Sequence, residues 1–188
     1  MNGDASPYRP EFVDALTALA KACREVEQAG YGCPILVGGA AIEFYVGSSM
    51  ASGDFDLITS MSQPLRKALE RQGFKPSLSN PFSAMIHEQS GIAVEAVSGM
   101  LFDGRADKER LLTVDLRVGK LVIPPIEDMI ADRMGQDASA PRGVPAMKEQ
   151  AIALYRLAEQ LDLSYLDQRI RVGSVNTHTL QTLQDWVK

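Results

Sequence analysis

Residues 35–59 read ILVGGAAIEFYVGSSMASGDFDLIT, and this stretch decides the fold. Ile35-Leu36-Val37 is a short, wholly apolar run of the kind found in buried strands. Gly38-Gly39 breaks it, and Ala40 to Val46 then follows helical spacing, with Ile42 and Tyr45 or Val46 on one side. Gly47-Ser48-Ser49-Met50-Ala51-Ser52-Gly53 is small and polar, which describes a loop. Asp54-Phe55-Asp56-Leu57-Ile58 alternates acid and apolar, a period-2 strand that places both carboxylates on one face. The predicted order is strand, helix, loop, strand.

The flanks extend this pattern. Phe12, Leu16, Leu19, Ala20, Cys23 and Val26 recur near a 3.6 period and predict a helix over 10–29, ended by Gly30 and Gly32. Residues 63–72 predict a second helix closed by Gly73. Strands are expected near Phe82–Glu88 and Ile92–Val97, joined at Ser90-Gly91, and a hairpin over Leu111–Val118 and Lys120–Ile123 around Gly119. Pro124-Pro125 stops the sheet, and Pro125 suits the start of a helix running to about Gly135. Residues 137–145 read as a linker, and 146–161, 163–172 and 177–187 as helices. The expectation is an α+β fold: a flexible N-terminus over 1–9, a core over 10–136 with a mixed sheet and flanking helices, and a small helical subdomain over 145–188.

Composition sets bounds. The chain has 188 residues, 45% hydrophobic and 23% charged, enough for a sizeable core plus a helical appendage. The polar start MNGDASPYRP has no apolar signal region, and no apolar run approaches a membrane-spanning length. Two cysteines, Cys23 and Cys33, form no CxxC pair and read as reduced thiols, so the expected compartment is the cytoplasm. The net charge of −5 argues against broad nucleic-acid binding, which needs a basic face. His87 and His178 have no partner spacing and read as surface or core residues, and Trp186 with Leu180 and Leu183 reads as a packing stripe.

The paired acids point to phosphoryl chemistry. Moving a nucleoside monophosphate (NMP) from a nucleoside triphosphate (NTP) onto a hydroxyl requires charge to be neutralised at both attacking and leaving oxygens, a task suited to two Mg²⁺ or Mn²⁺ ions. Such hard cations take carboxylate oxygens, and Asp54 and Asp56 have the i, i+2 spacing to supply them. Glu95 is the candidate third carboxylate, on the metal and accepting the hydroxyl proton. It is the one charged residue in Ile92–Val97, whose two faces are otherwise apolar. Asp115 is its rival, but it alternates with Thr113 and Arg117 on what reads as a solvent face. Gly38 and Gly39 offer unobstructed backbone N–H donors at a helix N-terminus, where phosphate is favoured. Ser48, Ser49 and Ser52 are candidate hydroxyl donors to the same ligand. Glu43, one turn into the helix, reads as a surface or capping-region residue.

With these residues in view, the stretch 35–59 resembles the signature of the DNA polymerase beta-like nucleotidyltransferase superfamily: apolar strand, Gly-Gly, short helix, loop, Asp-x-Asp. GIAVEAVSGML (91–101) resembles the strand bearing the third acid, and VIPPIEDMIADRM (122–134) resembles the helix following the sheet in bacterial members near the abortive-infection and toxin–antitoxin nucleotidyltransferases. The resemblance covers about residues 35–135 and, loosely, the C-terminal helices. It implies a nucleotidyltransferase fold and Mg²⁺-dependent transfer from an NTP, such as ATP, to an RNA end, a protein hydroxyl or a small molecule, in a toxin–antitoxin setting. It also implies phosphate contacts by Arg133 and Lys148. The chain departs from the pattern at Met50, where relatives often have Arg, and at Ser52, where Thr is usual; Arg66 or Lys67 is the candidate replacement cation. That departure raises an alternative: a nucleotidyltransferase-like nucleotide-binding or regulatory module without turnover.

Overall fold

In the computed structural model the described residues are 6–97 and 100–188. They form two compact units, one of residues 6–97 with Leu112–Ile123, the other of Met100–Leu111 with Pro124–Lys188. Among the described residues there are seven α-helices and one mixed seven-stranded sheet, an α+β architecture.

The first unit holds the whole sheet. Helix α1 (Pro10–Gln28) starts with proline, whose missing N–H costs nothing at a helix start. Its inner stripe of Phe12, Leu16, Leu19, Cys23 and Val26 is buried. Strand β1 (Ile35–Val37) runs straight into α2 (Gly38–Val46), and β2 (Asp54–Ile58) returns antiparallel to β1. Helix α3 (Gln63–Arg71) follows, then β3 (Phe74–Pro76), β4 (Ala84–His87), β5 (Ala93–Ala96), and the hairpin β6 (Leu112–Leu116) and β7 (Gly119–Ile123). The strand order is β3-β4-β5-β2-β1-β7-β6. The pairs β2–β5 and β1–β7 are parallel and the remaining pairs antiparallel. Phe55 of β2 meets Phe12 of α1 edge-on at 5.3 Å, which fastens the first helix to the sheet centre.

Several details depart from the sequence expectations. Strand β3 was absent from them; it is a three-residue edge strand containing Pro76, and proline is tolerated only at such edges. The β6–β7 turn lies at Arg117-Val118, and Gly119 is the first residue of β7, opposite Leu116. Residues 6–9 of the expected flexible N-terminus are tied down: Ser48 N donates to Pro7 O at 2.9 Å, and Tyr8 Oη donates to Phe44 O at 2.6 Å. Residues 1–5 of that segment, and Ser98-Gly99 of the third-acid stretch, lie outside the described residues.

The second unit is helical: α4 (Ile126–Ser139), α5 (Pro145–Leu157), α6 (Leu163–Gly173) and α7 (Leu180–Val187). Helix α4, placed with the core in the sequence reading, belongs to this unit. Met129, Ile130, Met134, Leu154, Leu166, Ile170 and Leu183 form its core. Asp162 caps α6 through Tyr165 N, and Thr179 caps α7 in a reciprocal box with Thr182. The expected linker is anchored by Asp137, which accepts from Val144 N at 2.7 Å and meets His178 Nε2 at 3.0 Å. Among the described residues no helix is long and apolar enough to cross a membrane.

Candidate functional site

The β1–α2 junction and strand β2 bring Gly38 and Asp56 together. Val37 pairs with Asp56 across the two strands, so the residue after it lies beside the Asp56 side chain. A Cβ on Gly38 would stand 2.2 Å from Asp56 Oδ2 and 3.2 Å from Asp56 Cβ, and Gly38 has φ +66°. Both facts demand glycine. The Asp56 carboxylate therefore packs directly on the first residue of α2, where the helix dipole favours negative charge. A Cβ on Gly39 would stand 2.6 Å from Ser52 Oγ, which makes this second glycine the floor under the loop.

Strand alternation buries Phe55 and Leu57 on one side and leaves Asp54 exposed and Asp56 half-buried on the other. Across the parallel pair, Asp56 is in register with Glu95 and Asp54 with Ala93. Asp54, Asp56 and Glu95 thus share one sheet face. Their carboxylates are not gathered: among the described residues no group of three His, Cys, Asp or Glu side chains is placed to hold a metal. The strand expected to be apolar on both faces is half-exposed at Glu95, and Glu95 Oε1 accepts from Asn80 Nδ2 at 2.9 Å and Ser83 Oγ at 3.5 Å. The donor set suits a Mg²⁺-type ion held by one or two carboxylates, with water and substrate phosphate completing its shell. It does not suit a closed three-carboxylate cage.

The serine hydroxyls are committed within the loop. Ser48 Oγ donates to Glu43 Oε1 at 2.5 Å, Ser49 Oγ to Val46 O at 3.2 Å and Ser52 Oγ to Asp54 O at 2.9 Å. A hydroxyl has one proton to give, so a phosphate contact by any of them requires it to re-aim.

Glu43 corrects the sequence reading: it is fully buried rather than at the surface. The reason lies 34 residues upstream, where Arg9 Nε donates to Glu43 Oε1 at 2.9 Å and Nη2 to Oε2 at 3.2 Å. Ser52 N donates to Glu43 Oε2 at 2.6 Å, and Arg9 Nη2 also reaches Ser52 O. Burial pushes the Glu43 carboxyl up; the Arg9 guanidinium, the Ser48 hydroxyl and the Ser52 amide outweigh it and hold the group below the usual carboxylate range. Arg9 is the residue that sequence reasoning missed. It brings a cation to the loop that carries Met50, while Arg66 donates to Phe82 O at 2.8 Å. The sole sequence signal was its place just before Pro10, at the start of α1.

Arg133 and Lys148 belong to the second unit. Arg133 is buried, with Nε on Asp132 Oδ2 at 3.0 Å and Nη1 on Gln150 Oε1 at 3.3 Å. Lys148 Nζ lies 5.0 Å from the centre of the Trp186 ring, a cation–π contact. Both side chains are engaged within that unit.

No family model matches this chain. No curated protein matches it either.

Proposed function

We propose that the protein is a nucleotidyltransferase that moves an NMP group from an NTP to an acceptor hydroxyl, with Mg²⁺ or Mn²⁺ as its cofactor. The observation that carries this reading is the seat of Asp56 on Gly38, with Asp54 and Glu95 on the same sheet face. Asp54 and Asp56 would hold the divalent ion, which when bound supplies charge neutralisation along the polyphosphate. The N–H groups of Gly38 and Gly39, in the first turn of α2, would fix the phosphates. The acceptor oxygen bonds to the α-phosphorus, the bond to pyrophosphate breaks, and the hydroxyl proton passes to a base. Glu95 takes that proton once its Oε1 is released from Asn80. RNA ends, protein hydroxyls and small molecules all present the required group, in a toxin–antitoxin context among others.

A second reading is favoured by one contact. With Asn80 holding Glu95 away, the same site would bind a nucleotide without turnover, as a regulatory module. Incubation with labelled NTP, Mg²⁺ and each acceptor class distinguishes the two. Pyrophosphate release by wild type, lost in Asp56→Asn, supports transfer. Nucleotide binding with turnover only in Asn80→Ala supports the regulatory reading. Turnover retained in Asp56→Asn excludes the assigned site.

A further inference from the structure

The helical unit holds a cavity between α4 and α6. Ala131 and Gly135 on α4 face Gly173 on α6, and a Cβ on Gly135 would stand 2.9 Å from Gly173 O. Small residues thus bring the two helices nearly backbone to backbone and leave space beside them. The result is a cavity of about 240 Å³, walled also by Phe102, Asp103 and Arg105. That wall is strained: Phe102 and Asp103 have φ of +46° and +57°, in the left-handed region that non-glycine residues rarely occupy. Two adjacent residues held this way mark a segment whose shape is imposed by its surroundings.

Arg169 borders the cavity and is 5% exposed. Its Nε donates to Asp128 Oδ1 at 2.5 Å, and Asp128, itself fully buried, also accepts from Tyr165 Oη at 3.0 Å. The Arg169 Nη1 atom is buried and has no hydrogen-bond partner. A guanidinium does not lose its proton, so these donors persist, and leaving a buried donor unmet is costly. Arg105, also on the wall, is exposed. Of the carboxylates bordering the cavity, Asp132 is already met by Arg133 and Gln136, and Asp103 is exposed. At the edge, Ser139 Oγ donates to Gln136 O at 2.8 Å, and the Gln136 amide keeps one N–H beyond its bond to Asp132.

An unmet permanent donor calls for an acceptor-only group. We infer that this cavity is a binding site for a small oxyanion, phosphate or carboxylate, held by the Arg169 guanidinium, whose Nη1 turns to meet it, and by the exposed Arg105 at its rim. The site uses none of the residues assigned to nucleotide transfer and stands whether or not that assignment holds.

Residue-resolved NMR titration of the whole chain, at constant ionic strength, tests it with inorganic phosphate and with succinate, against sodium chloride as control. The expected result is saturable shifts confined to residues 102–105, 131–139 and 169–173, with a Kd of millimolar order. Arg105→Gln and Gln136→Glu alter exposed side chains and spare the fold; each should weaken binding about tenfold. Arg169→Lys, which keeps the charge and removes Nη1, should abolish saturation. Saturation by phosphate alone identifies a tetrahedral oxyanion as the ligand, and by succinate alone a carboxylate. If both anions behave like chloride, or shifts fall only around residues 38–56, the cavity holds water and the inference is overturned.

Discussion

Replacing Gly38 by alanine should damage this protein through two separable routes. The first is backbone: a φ of +66° costs a residue bearing a Cβ about 1–2 kcal/mol. The second is steric, because the new methyl group would stand 2.2 Å from Asp56 Oδ2, 3.1 Å from Cγ and 3.2 Å from Cβ. Rotating so short a side chain does not clear all three atoms, so the strand or the helix start must shift, at about 1–3 kcal/mol. The expected total is about 2–5 kcal/mol in urea unfolding. In an Asp56→Ala background Oδ2 and Cγ are gone and only the 3.2 Å approach to Cβ remains, so Gly38→Ala should cost little beyond the backbone part of about 1–2 kcal/mol. The double-mutant cycle therefore predicts coupling of about 1–3 kcal/mol. An equal cost in both backgrounds, within about 0.5 kcal/mol, would refute the contact between this glycine and the acid.

Arg9→Ala should destabilise by about 3 kcal/mol, because it strands a fully buried Glu43, whereas Glu43→Gln should cost less. Glu43 is held below its unfolded value, so its contribution is complete above about pH 4.3 and fades as pH falls through the folded value. Acid unfolding of Glu43→Gln should accordingly be shallower than that of wild type, and parallel curves would contradict the assignment. In the helical unit, Asp128→Ala should cost about 3–5 kcal/mol in thermal or urea unfolding, since it leaves the Arg169 guanidinium buried without its partner. A loss under about 1 kcal/mol would mean that water replaces the carboxylate there.

What the sequence made legible was local. Gly38-Gly39 after an apolar triplet, and the Asp-x-Asp alternation, announce strand, helix and strand because each rests on a period of a few residues. The register placing Glu95 beside Asp56 is non-local: the grouping of Glu95 with the two aspartates was readable from the chemistry, but not that it lies opposite Asp56 rather than Asp54. Glu43 was misjudged for the same reason: a glutamate in a short helix looks solvated until Arg9 is known to reach it. Strand β3 has three residues, no alternation to detect, and exists because β4 offers it an edge. Helix α4 was found, but its membership of the helical unit follows from packing against α5 and α6, on which a sequence pattern is silent. Hydroxyl direction at Ser48, Ser49 and Ser52 was equally invisible, since side-chain partners in a loop depend on where the chain returns.

Calorimetric titration of each NTP with Mg²⁺ tests the central proposal most directly, using wild type and the Asp54→Asn/Asp56→Asn double variant. Wild type should bind at least one NTP, and the double variant should bind it more weakly or lose the Mg²⁺ dependence. Unchanged binding by a folded double variant, or no binding of any NTP by folded wild type, would contradict a nucleotide site at Gly38, Asp54 and Asp56.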